Sequence, residues 1–338
     1  MLDVPNFPFE PYVELLRAAA EPTRLRLLVL LSRADLTVSE LTTILGQSQP
    51  RISRHLKLLA EARLISRYQE GSWAFFRASD DPLALPVMRA LVGWVDAQDP
   101  ALARDAERLE DVRAKRAERA ADYFSRNAEA WDRIRSLHVS DEEVEAALVN
   151  ALGRKRFDTL LDVGTGTGRM LEVLAPRCER AIGIDSSREM LTVARAKLDE
   201  ANIANAQVRL GSVYHLPIER GGFDLVVIHQ VLHYLDDPAR AVREAATALS
   251  PGGRIAIIDF APHELEFMRS DYAHLRLGFS DQTLTAYVEA AGLRVRSLVN
   301  LKSQLAAAPA ELTVTILLAE DQRRLVAGKT PENTSMTS

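Results

Sequence analysis

The chain divides into two regions that differ in the pattern of their apolar residues. In the first region apolar residues recur at helical spacing, as in Ile52, Leu56 and Leu59, which fall at i, i+4 and i+7. From residue 159 onward, short continuous apolar runs alternate with turns and helical patterns, which is typical of strands buried in a parallel sheet. The chain is therefore predicted to join a small helical region to an α/β region.

The first region is predicted to form four short helices and a hairpin. Pro22 and Pro50 open helices, since proline fits the first turn, and Gly46 ends one as its C-cap. A turn with glycine at 71 separates two strands and predicts a wing. The predicted helices cover residues 12–20, 23–31, 38–45 and 51–59, and the predicted strands cover 64–68 and 73–77.

Two of these helices, joined by a turn, have the pattern of a helix-turn-helix. Residues 49–67 carry five Arg or Lys residues against one acid, Glu61, so positive charge is concentrated where a DNA major groove would lie. A solvated helix face is the alternative for any single arginine. The residues predicted to contact DNA are Gln49, Arg51, Ser53, Arg54, His55, Lys57 and Arg67.

A glycine-rich turn organises the second region. The strand 159–163 leads into Gly164, Gly166 and Gly168, and a helical pattern follows, so backbone N–H groups are predicted to face a polar ligand. Asp162 would crowd a pyrophosphate but is well placed for an ammonium group, and Asp185 ends the next strand, where it can accept from a ribose diol. This pair favours S-adenosylmethionine over a dinucleotide.

On these residues, positions 120–320 resemble the class I methyltransferases. The resemblance implies an α/β fold, a Rossmann-like seven-stranded sheet with one antiparallel strand, and S-adenosylmethionine or S-adenosylhomocysteine as cofactor. Ser212 stands where many members carry an acid that binds the adenine amino group. The residues expected to bind the cofactor are Asp162, Gly164, Gly166, Gly168, Asp185, Ser186, Ser212, Val213 and His229.

The segments 21–28, 38–41 and 52–59 resemble the ArsR family of winged-helix regulators. That resemblance implies a homodimer on a palindromic double-stranded operator, with the first helix and residues 83–94 in the dimer interface. Metal-sensing members use cysteine pairs on the helix that corresponds to 36–45, whereas the one cysteine here is Cys178. We therefore expect no metal site and no arsenic methylation.

Domain limits follow from these patterns. We expect a winged-helix domain over 1–98, a helical connector and cleft lid over 99–150, a methyltransferase-like domain over 151–320, and a disordered tail over 321–338. Residues 101–121 alternate acids and bases, which predicts an exposed helical spacer. Aromatic residues at 123–132 are typical of a lid, and for Tyr123 packing is favoured over cofactor contact.

Composition narrows the setting. The chain has 338 residues, 47% of them hydrophobic, and a formal net charge of −5, so nucleic acid would be bound through a local basic patch. The sequence shows no apolar run long enough to cross a membrane and no signal pattern at its N-terminus. We therefore expect no membrane partner. The resemblance to the ArsR family implies a cytoplasmic protein.

Three functions remain open. The leading hypothesis is a DNA-binding regulator whose C-terminal domain binds S-adenosylmethionine or S-adenosylhomocysteine as effector. The alternative is an active methyltransferase on a small-molecule acceptor, with His229 and His233 as catalytic candidates and Tyr234 beside them. A dimeric scaffold with two degenerate halves is the third. His263, Glu264, Glu266 and His274 have no diagnostic metal spacing, and surface or acceptor-pocket roles are favoured for them.

Overall fold

The computed structural model describes residues 8–70, 73–79, 81, 83–132, 140–154, 156–302 and 312–323. These residues belong to two compact units. The first comprises Met1–Tyr123, His233–Asp237 and Pro262–Gly278, and the second comprises Phe124–Leu232, Pro238–Ala261 and Phe279–Ser338. Two short segments from the methyltransferase-like half of the sequence therefore pack with the N-terminal region.

The first unit contains a winged helix. The elements are α1 (Phe9–Ala19), α2 (Pro22–Leu31), β1 (Leu36–Thr37), α3 (Val38–Leu45), α4 (Gln49–Glu61), β2 (Ile65–Glu70), β3 (Trp73–Ala78), α5 (Ala84–Gly93) and α6 (Pro100–Asn127). The sheet has the order β1-β3-β2, and the two-residue strand β1 was not predicted because so short a strand has no alternation to detect. Helix α3 has the predicted bounds, since Thr37 and Glu40 form a capping box at its start and Gly46 caps its end.

Helix α6 is longer and better packed than the sequence indicated. The helix itself is confirmed, but the expectation of an exposed spacer is wrong, because Leu102, Asp105 and Leu109 are buried along one face. Asp105 accepts two hydrogen bonds of 2.6 Å from the Arg26 guanidinium on α2. The early part of α6 is thus a structural part of the winged-helix core.

The second unit contains the predicted seven-stranded sheet. Its strands are β4 (Phe157–Val163), β5 (Cys178–Asp185), β6 (Ala206–Leu210), β7 (Phe223–His229), β8 (Leu249–Phe260), β9 (Leu293–Lys302) and β10 (Thr313–Asp321). They lie in the order β6-β5-β4-β7-β8-β10-β9. Neighbouring strands pair in parallel from β6 to β8, and β10 is antiparallel to both β8 and β9, which confirms the single reversed strand. The helices are α7 (Asp141–Leu152), α8 (Arg169–Leu174), α9 (Arg188–Glu200), α10 (Pro238–Thr247) and α12 (Asp281–Ala290), while α11 (Phe267–Asp271) belongs to the first unit.

The end of the chain bears on the predicted tail. Asp321, where the tail was expected to begin, is still part of β10, and its carboxylate pairs with the guanidinium of Arg323. Residues 324–338 of the predicted tail lie outside the described residues. In the part of the chain that the structure describes, no helix is both long and apolar enough to span a membrane.

Candidate functional site

The glycine turn lies where the parallel strands end. Gly164, Gly166 and Gly168 all have positive φ, at 74°, 53° and 84°, so the chain reverses direction immediately after β4. A Cβ on Gly164 would lie 2.9 Å from Cγ1 of Val231 and closer still to its Cγ2. Glycine is therefore required here by backbone conformation and by the close approach of the segment after β7.

Asp185 is held against this turn. Its Oδ2 accepts a hydrogen bond of 2.9 Å from the Gly166 N–H, and its Oδ1 accepts one of 2.9 Å from the Ser187 N–H. Burial raises the pKa of Asp185, and the backbone hydrogen bonds oppose that rise. Each carboxylate oxygen has a second lone pair, so this fixed group can still accept from two ligand hydroxyls. Ser186, next to it, is exposed.

Asp162 is buried within β4, between its strand partners Gly183 and Val227. Its Oδ2 accepts a hydrogen bond of 2.6 Å from the Thr165 hydroxyl, which belongs to the glycine turn. The Asp162 carboxylate therefore stabilises the glycine turn through its hydrogen bond with Thr165. Its predicted contact with an ammonium group stays a prediction.

The remaining predicted cofactor residues follow β6 and β7. Ser212 is exposed, and its hydroxyl oxygen accepts a hydrogen bond of 3.2 Å from the Tyr214 N–H, while Val213 is half-buried. His229 is buried as the last residue of β7. Because β4, β5, β6 and β7 are parallel neighbours, their carboxyl ends bring these residues to the edge that carries the glycine turn.

His233, the second catalytic candidate, lies in the first compact unit, whereas His229 lies in the second. The His233 ring is buried and packs against His274 and Tyr234, with centroid distances of 4.1 Å to each. Its carbonyl accepts hydrogen bonds from the N–H groups of Leu275 and Arg276. This packing gives His233 a structural role, and joint catalysis with His229 stays a prediction.

The aromatic segment before residue 133 does contact the glycine turn, through two residues that the sequence did not single out. Asp132 accepts a hydrogen bond of 2.6 Å from the Thr167 hydroxyl and pairs with Lys197, whose pKa is lowered by burial. A Cβ on Gly166 would lie 3.7 Å from Nε1 of Trp131, so the indole covers this part of the turn. The aromatic composition of the segment was the one signal available.

Tyr123 belongs to the first unit and packs edge-on against Tyr272, with ring centroids 6.5 Å apart. Burial raises its pKa to about 12. The contact with Tyr272 is one of packing, and the expected preference for packing over cofactor contact stays a prediction.

Helix α4 presents a polar face of the kind that the sequence predicted. Ile52, Leu56 and Leu59 are buried on its inner side. Six of the seven residues predicted to contact DNA are exposed, namely Gln49, Arg51, Ser53, Arg54, Lys57 and Arg67. His55 differs, because it is half-buried with Nδ1 3.6 Å from Oε2 of Glu21, and burial lowers its pKa. Contact of these residues with DNA stays a prediction.

The structure also bears on metal binding. Among the described residues, no group of three or more His, Cys, Asp or Glu side chains is arranged to hold a metal ion.

Comparison with known families gives two matches on separate parts of the chain. Residues 21–67 match the model described as bacterial regulatory protein, arsR family, and residues 161–257 match the model described as methyltransferase domain. The chain therefore joins an arsR-type helix-turn-helix segment to a methyltransferase domain, as the two sequence resemblances implied.

Individual relatives cover only part of this arrangement. The chain is 32% identical over 204 residues to an uncharacterized 37.1 kDa protein in transposon TN4556 of Streptomyces fradiae, covering 55% of this chain and 58% of the relative. It is 30% identical over 142 residues to the uncharacterized methyltransferase YcgJ of Bacillus subtilis, covering 42% of this chain and 55% of the relative. The alignments thus span somewhat more than half the length of these two relatives.

Among solved structures, the chain is similar to the N-methyltransferase NodS from Bradyrhizobium japonicum in complex with S-adenosyl-L-homocysteine. The TM-score is 0.49 at 19% identity, and the match covers 60% of this chain and 98% of NodS.

Proposed function

We propose that this chain, which joins an arsR-type helix-turn-helix to a methyltransferase domain, is a DNA-binding transcriptional regulator controlled by a methyl-donor nucleoside. S-adenosylmethionine or S-adenosylhomocysteine would bind at the glycine turn as effector. The regulator would bind a palindromic operator as a homodimer in the cytoplasm.

The arrangement of Asp185 carries the proposal. Its carboxylate is held by the N–H groups of Gly166 and Ser187, so it is already oriented before any ligand arrives. A ribose diol supplies two hydroxyl donors at the spacing of one carboxylate, and hydrogen bonds to a charged acceptor are among the stronger ones. Asp162, in the buried strand before the turn, supplies the second acidic group that we assign to the amino-acid end of the ligand.

DNA binding is supported by the exposed face of α4. Arg51, Arg54 and Lys57 are exposed there, while the opposite face is buried in the winged-helix core. Such a helix can lie in a major groove, with its cations on phosphates and its amide and hydroxyl groups on base edges.

Covalent continuity offers a route between the two activities. The segments His233–Asp237 and Pro262–Gly278 belong to the first unit and follow β7 and β8 directly along the chain. A ligand at the strand ends would therefore act on residues joined to segments that pack with the winged helix. The ligand changes operator affinity only if it binds the two DNA-binding conformations unequally.

Operator titration tests the proposal. An operator selected from random duplexes is titrated with the full-length chain, alone and with each nucleoside at saturation. We expect a shift of at least fivefold in operator affinity with one of them, which corresponds to a coupling of about 1 kcal/mol. Nucleoside binding without any shift would refute the effector role.

Two variants separate the halves of the proposal. Asp185→Ala is expected to lower the affinity for the nucleoside and to leave operator binding without ligand intact. Arg54→Ala is expected to weaken operator binding by about 1–3 kcal/mol if the Arg54 side chain contacts a base, and to leave nucleoside binding unchanged. A loss of both activities in either variant would point to unfolding and would remove the evidence for two separate sites.

An active methyltransferase is the second candidate, favoured by one observation. His229 is buried at the carboxyl end of β7, where a parallel sheet holds its ligands. In that reaction the acceptor forms a bond to the methyl carbon as the sulfonium–carbon bond breaks, S-adenosylhomocysteine leaves, and a base takes the acceptor's proton. Formation of S-adenosylhomocysteine from S-adenosylmethionine and a metabolite extract, lost in His229→Ala, would support this function.

A further inference from the structure

Two segments of the winged-helix unit come from the second half of the sequence. His233–Asp237 follows β7 and Pro262–Gly278 follows β8, yet both belong to the first compact unit. In an open α/β sheet, ligands bind outside the carboxyl ends of the strands, so the residues that follow those ends border the ligand. The contacts of the two segments with the winged helix therefore decide which parts of it a ligand can influence.

Asp236 ties the first segment to helices α6 and α3. Its Oδ2 accepts a hydrogen bond of 3.0 Å from Nε of Arg113, and its Oδ1 pairs with the Arg116 guanidinium. Arg116 also donates two hydrogen bonds, of 2.9 and 2.7 Å, to Oε1 of Glu40. Glu40 forms the capping box at the start of α3, the helix that precedes the predicted recognition helix α4. The Asp236 carboxylate thus reaches the helix-turn-helix through a single arginine.

Arg276 ties the second segment to the wing. Its Nη1 donates to the Tyr68 hydroxyl on β2 and to Oδ2 of Asp35, each at 3.1 Å. The Tyr68 hydroxyl in turn donates to the same Asp35 oxygen at 2.7 Å. The Arg276 Nη2 donates to the backbone carbonyl of Asp236 at 3.1 Å, so the two segments are also joined to each other. The Arg276 side chain is only 11% exposed, and hydrogen bonds to a charged group are among the stronger ones.

Arg269, also in the second segment, covers the aromatic side of the wing. Its guanidinium lies 5.5 Å from the ring centroids of both Trp73 and Phe75 on β3. The guanidinium is held by the Glu266 carboxylate, 3.8 Å from its Nε, and by the backbone carbonyl of Leu275. Cation–π contacts contribute most where the cation is shielded from water, and this side chain is only 9% exposed. Both strands of the wing are therefore in contact with the second segment.

The wing depends on contacts of this kind for its position. Its strands β2 and β3 form a hairpin, and β1 adds only two residue pairs beside β3. A hairpin alone is at best marginally stable in water, so side chains from outside it decide where it lies. The wing follows α4 along the chain and α3 precedes α4. The two segments thus hold both neighbours of the predicted recognition helix.

We propose that Asp236, Arg269 and Arg276 form a clamp on the wing, and that this wing clamp carries the effect of the nucleoside to the operator-binding surface. The wing clamp rests on the proposed effector role and names the route of that regulation. A nucleoside at the ends of β7 and β8 favours one placement of the two segments, and the wing clamp places α3 and the wing to match. Operator affinity changes because the operator and the nucleoside then bind the same placement unequally.

The test measures the coupling in both directions with the full-length chain. Operator affinity is measured with and without S-adenosylmethionine or S-adenosylhomocysteine, and the affinity for each nucleoside is measured with and without saturating operator. The two ratios should be equal in the unmodified chain, and at least fivefold for one nucleoside, because coupling between binding sites is reciprocal. Asp236→Asn and Arg276→Gln are expected to lower both ratios below twofold, while each variant still binds the nucleoside and the operator separately.

Tyr68→Phe is the smallest change that tests the clamp. It removes the hydroxyl that Arg276 and Asp35 share and keeps the ring, which stacks on Phe75 with centroids 5.6 Å apart. We expect the coupling ratio to fall at least twofold. Combining Tyr68→Phe with Arg276→Gln should give no further loss, since both changes remove the same contact.

Two control variants match these changes. Asp271 is exposed in the second segment, and its carboxylate accepts a hydrogen bond of 2.6 Å from the neighbouring Ser270 hydroxyl. Arg294 is exposed on β9 of the second unit. Asp271→Asn and Arg294→Gln are expected to keep the coupling ratio of the unmodified chain. Circular dichroism and the melting temperature verify that the clamp variants are folded.

Hydrogen exchange tests the hold on the wing without any nucleoside or DNA. In Asp236→Asn and Arg276→Gln, the amides of β2 and β3 are expected to exchange at least tenfold faster than in the unmodified chain. The amides of β4 and β5 should be unchanged, because local opening of the wing leaves the large sheet intact.

The outcomes separate the wing clamp from the effector role. Coupling ratios that are unchanged in the folded clamp variants, or wing amides that exchange no faster, would overturn the wing clamp. Loss of the coupling in Asp271→Asn and Arg294→Gln as well would also overturn it, because the effect would then be general. If neither nucleoside shifts operator affinity in the unmodified chain, the effector role itself fails, and the transmitting role of the wing clamp fails with it.

Discussion

Arg63 lies in the left-handed region of backbone conformation, with φ at +57°, directly after α4. The N–H of Leu64 donates to the carbonyl of Leu59, so the chain closes the helix as a glycine-type cap would. A side chain with a Cβ is strained in this conformation by about 1–2 kcal/mol. The Arg63 side chain is 76% exposed and its guanidinium lies 3.6 Å from the Asp81 carboxylate, an ion pair that contributes little.

We therefore expect Arg63→Gly to be more stable than Arg63→Ala by about 1 kcal/mol in urea unfolding, because both lose the ion pair and only glycine relieves the strain. Arg63→Ala is the matched control, since it keeps the Cβ. Equal unfolding midpoints for the two variants would show that the strained backbone carries no cost here.

The buried carboxyl group of Asp185 is expected to make both stability and nucleoside affinity depend on pH. Burial raises its pKa, so folding favours the protonated carboxyl, and its contribution to stability is lost as pH rises through the raised pKa. Nucleoside affinity is expected to change in the opposite direction, because ligand hydroxyls donate better to the ionised carboxylate. Calorimetric affinity for S-adenosylhomocysteine should therefore fall as pH is lowered through this pKa.

Asp185→Asn is expected to bind S-adenosylhomocysteine about 10- to 100-fold more weakly than the unmodified chain at neutral pH, since hydrogen bonds to charged groups contribute about 1.5–3 kcal/mol. Its affinity should also lose the acid dependence. Asp199→Asn, at an exposed position on α9, should match the unmodified chain. An acid dependence that persists in Asp185→Asn would assign the titration to another group.

The glycine turn is the element on which the nucleoside site is built, and two alanine substitutions separate its requirements. Gly164 and Gly252 have nearly equal φ, at +74° and +75°. A Cβ at Gly164 meets Val231, whereas a Cβ at Gly252 meets no atom of the described structure within 4 Å.

We expect Gly252→Ala to cost about 1 kcal/mol for backbone strain alone. Gly164→Ala should cost about 1–3 kcal/mol more, because a methyl group is forced into a packed side chain. Chemical unfolding measures both. Adding Val231→Ala to Gly164→Ala should recover most of the difference, and no recovery would mean that packing against Val231 is not the cause.

Helix α6 is tied to the winged helix by a buried ion pair. Asp105 is 2% exposed and makes two hydrogen bonds to Arg26, so removing the carboxylate would leave a largely covered guanidinium without its partner. We expect Asp105→Ala to cost about 3–5 kcal/mol in unfolding free energy. Asp111→Ala, at an exposed position of the same helix, should change stability by less than about 0.5 kcal/mol.

The Arg26–Asp105 ion pair is a feature of the fold that could not be predicted from the sequence. The bounds of α3 were predictable because Thr37, Glu40 and Gly46 act on the backbone next to them. The partnership of Arg26 with Asp105 links residues far apart in the chain, and an alternation of acids and bases predicts only a solvated helix. Local signals thus predicted most of the helices and strands, the methyltransferase resemblance implied the seven-stranded sheet, and the buried face of α6 was missed.

The same distinction applies to the candidate site. The glycine turn and Asp185 were predictable, since a strand, a turn and a terminal carboxylate are contiguous patterns. The contacts of Asp132 with Thr167 and of Val231 with Gly164 depend on how distant segments pack, and no pattern in one sequence encodes them. These two contacts hold the glycine turn in place, and they are seen only in the structure.

At the scale of the whole molecule, exposed apolar side chains indicate where two copies would meet. Phe9 and Leu16 on α1 are 80% and 37% exposed, and Trp94, which follows α5, is 90% exposed. These are the two elements that the sequence resemblance placed in a dimer interface. Large aromatic side chains at such exposure are costly to leave in water and are enriched in protein interfaces. A dimer would bury them and set the spacing of two α4 helices on a palindrome.

We therefore expect the chain to sediment as a dimer and Trp94→Glu to shift it toward monomer, since a charge buried in an apolar interface is strongly unfavourable. Operator affinity should fall with it by at least tenfold, because a monomer engages one half-site and loses the effective concentration of the second. Leu210→Glu is the matched control, because Leu210 is also exposed, at 46%, but lies on β6 of the second unit. If Trp94→Glu remained dimeric while Leu210→Glu dissociated, the interface would belong to the methyltransferase domain, and the two recognition helices would have to be spaced by that domain instead.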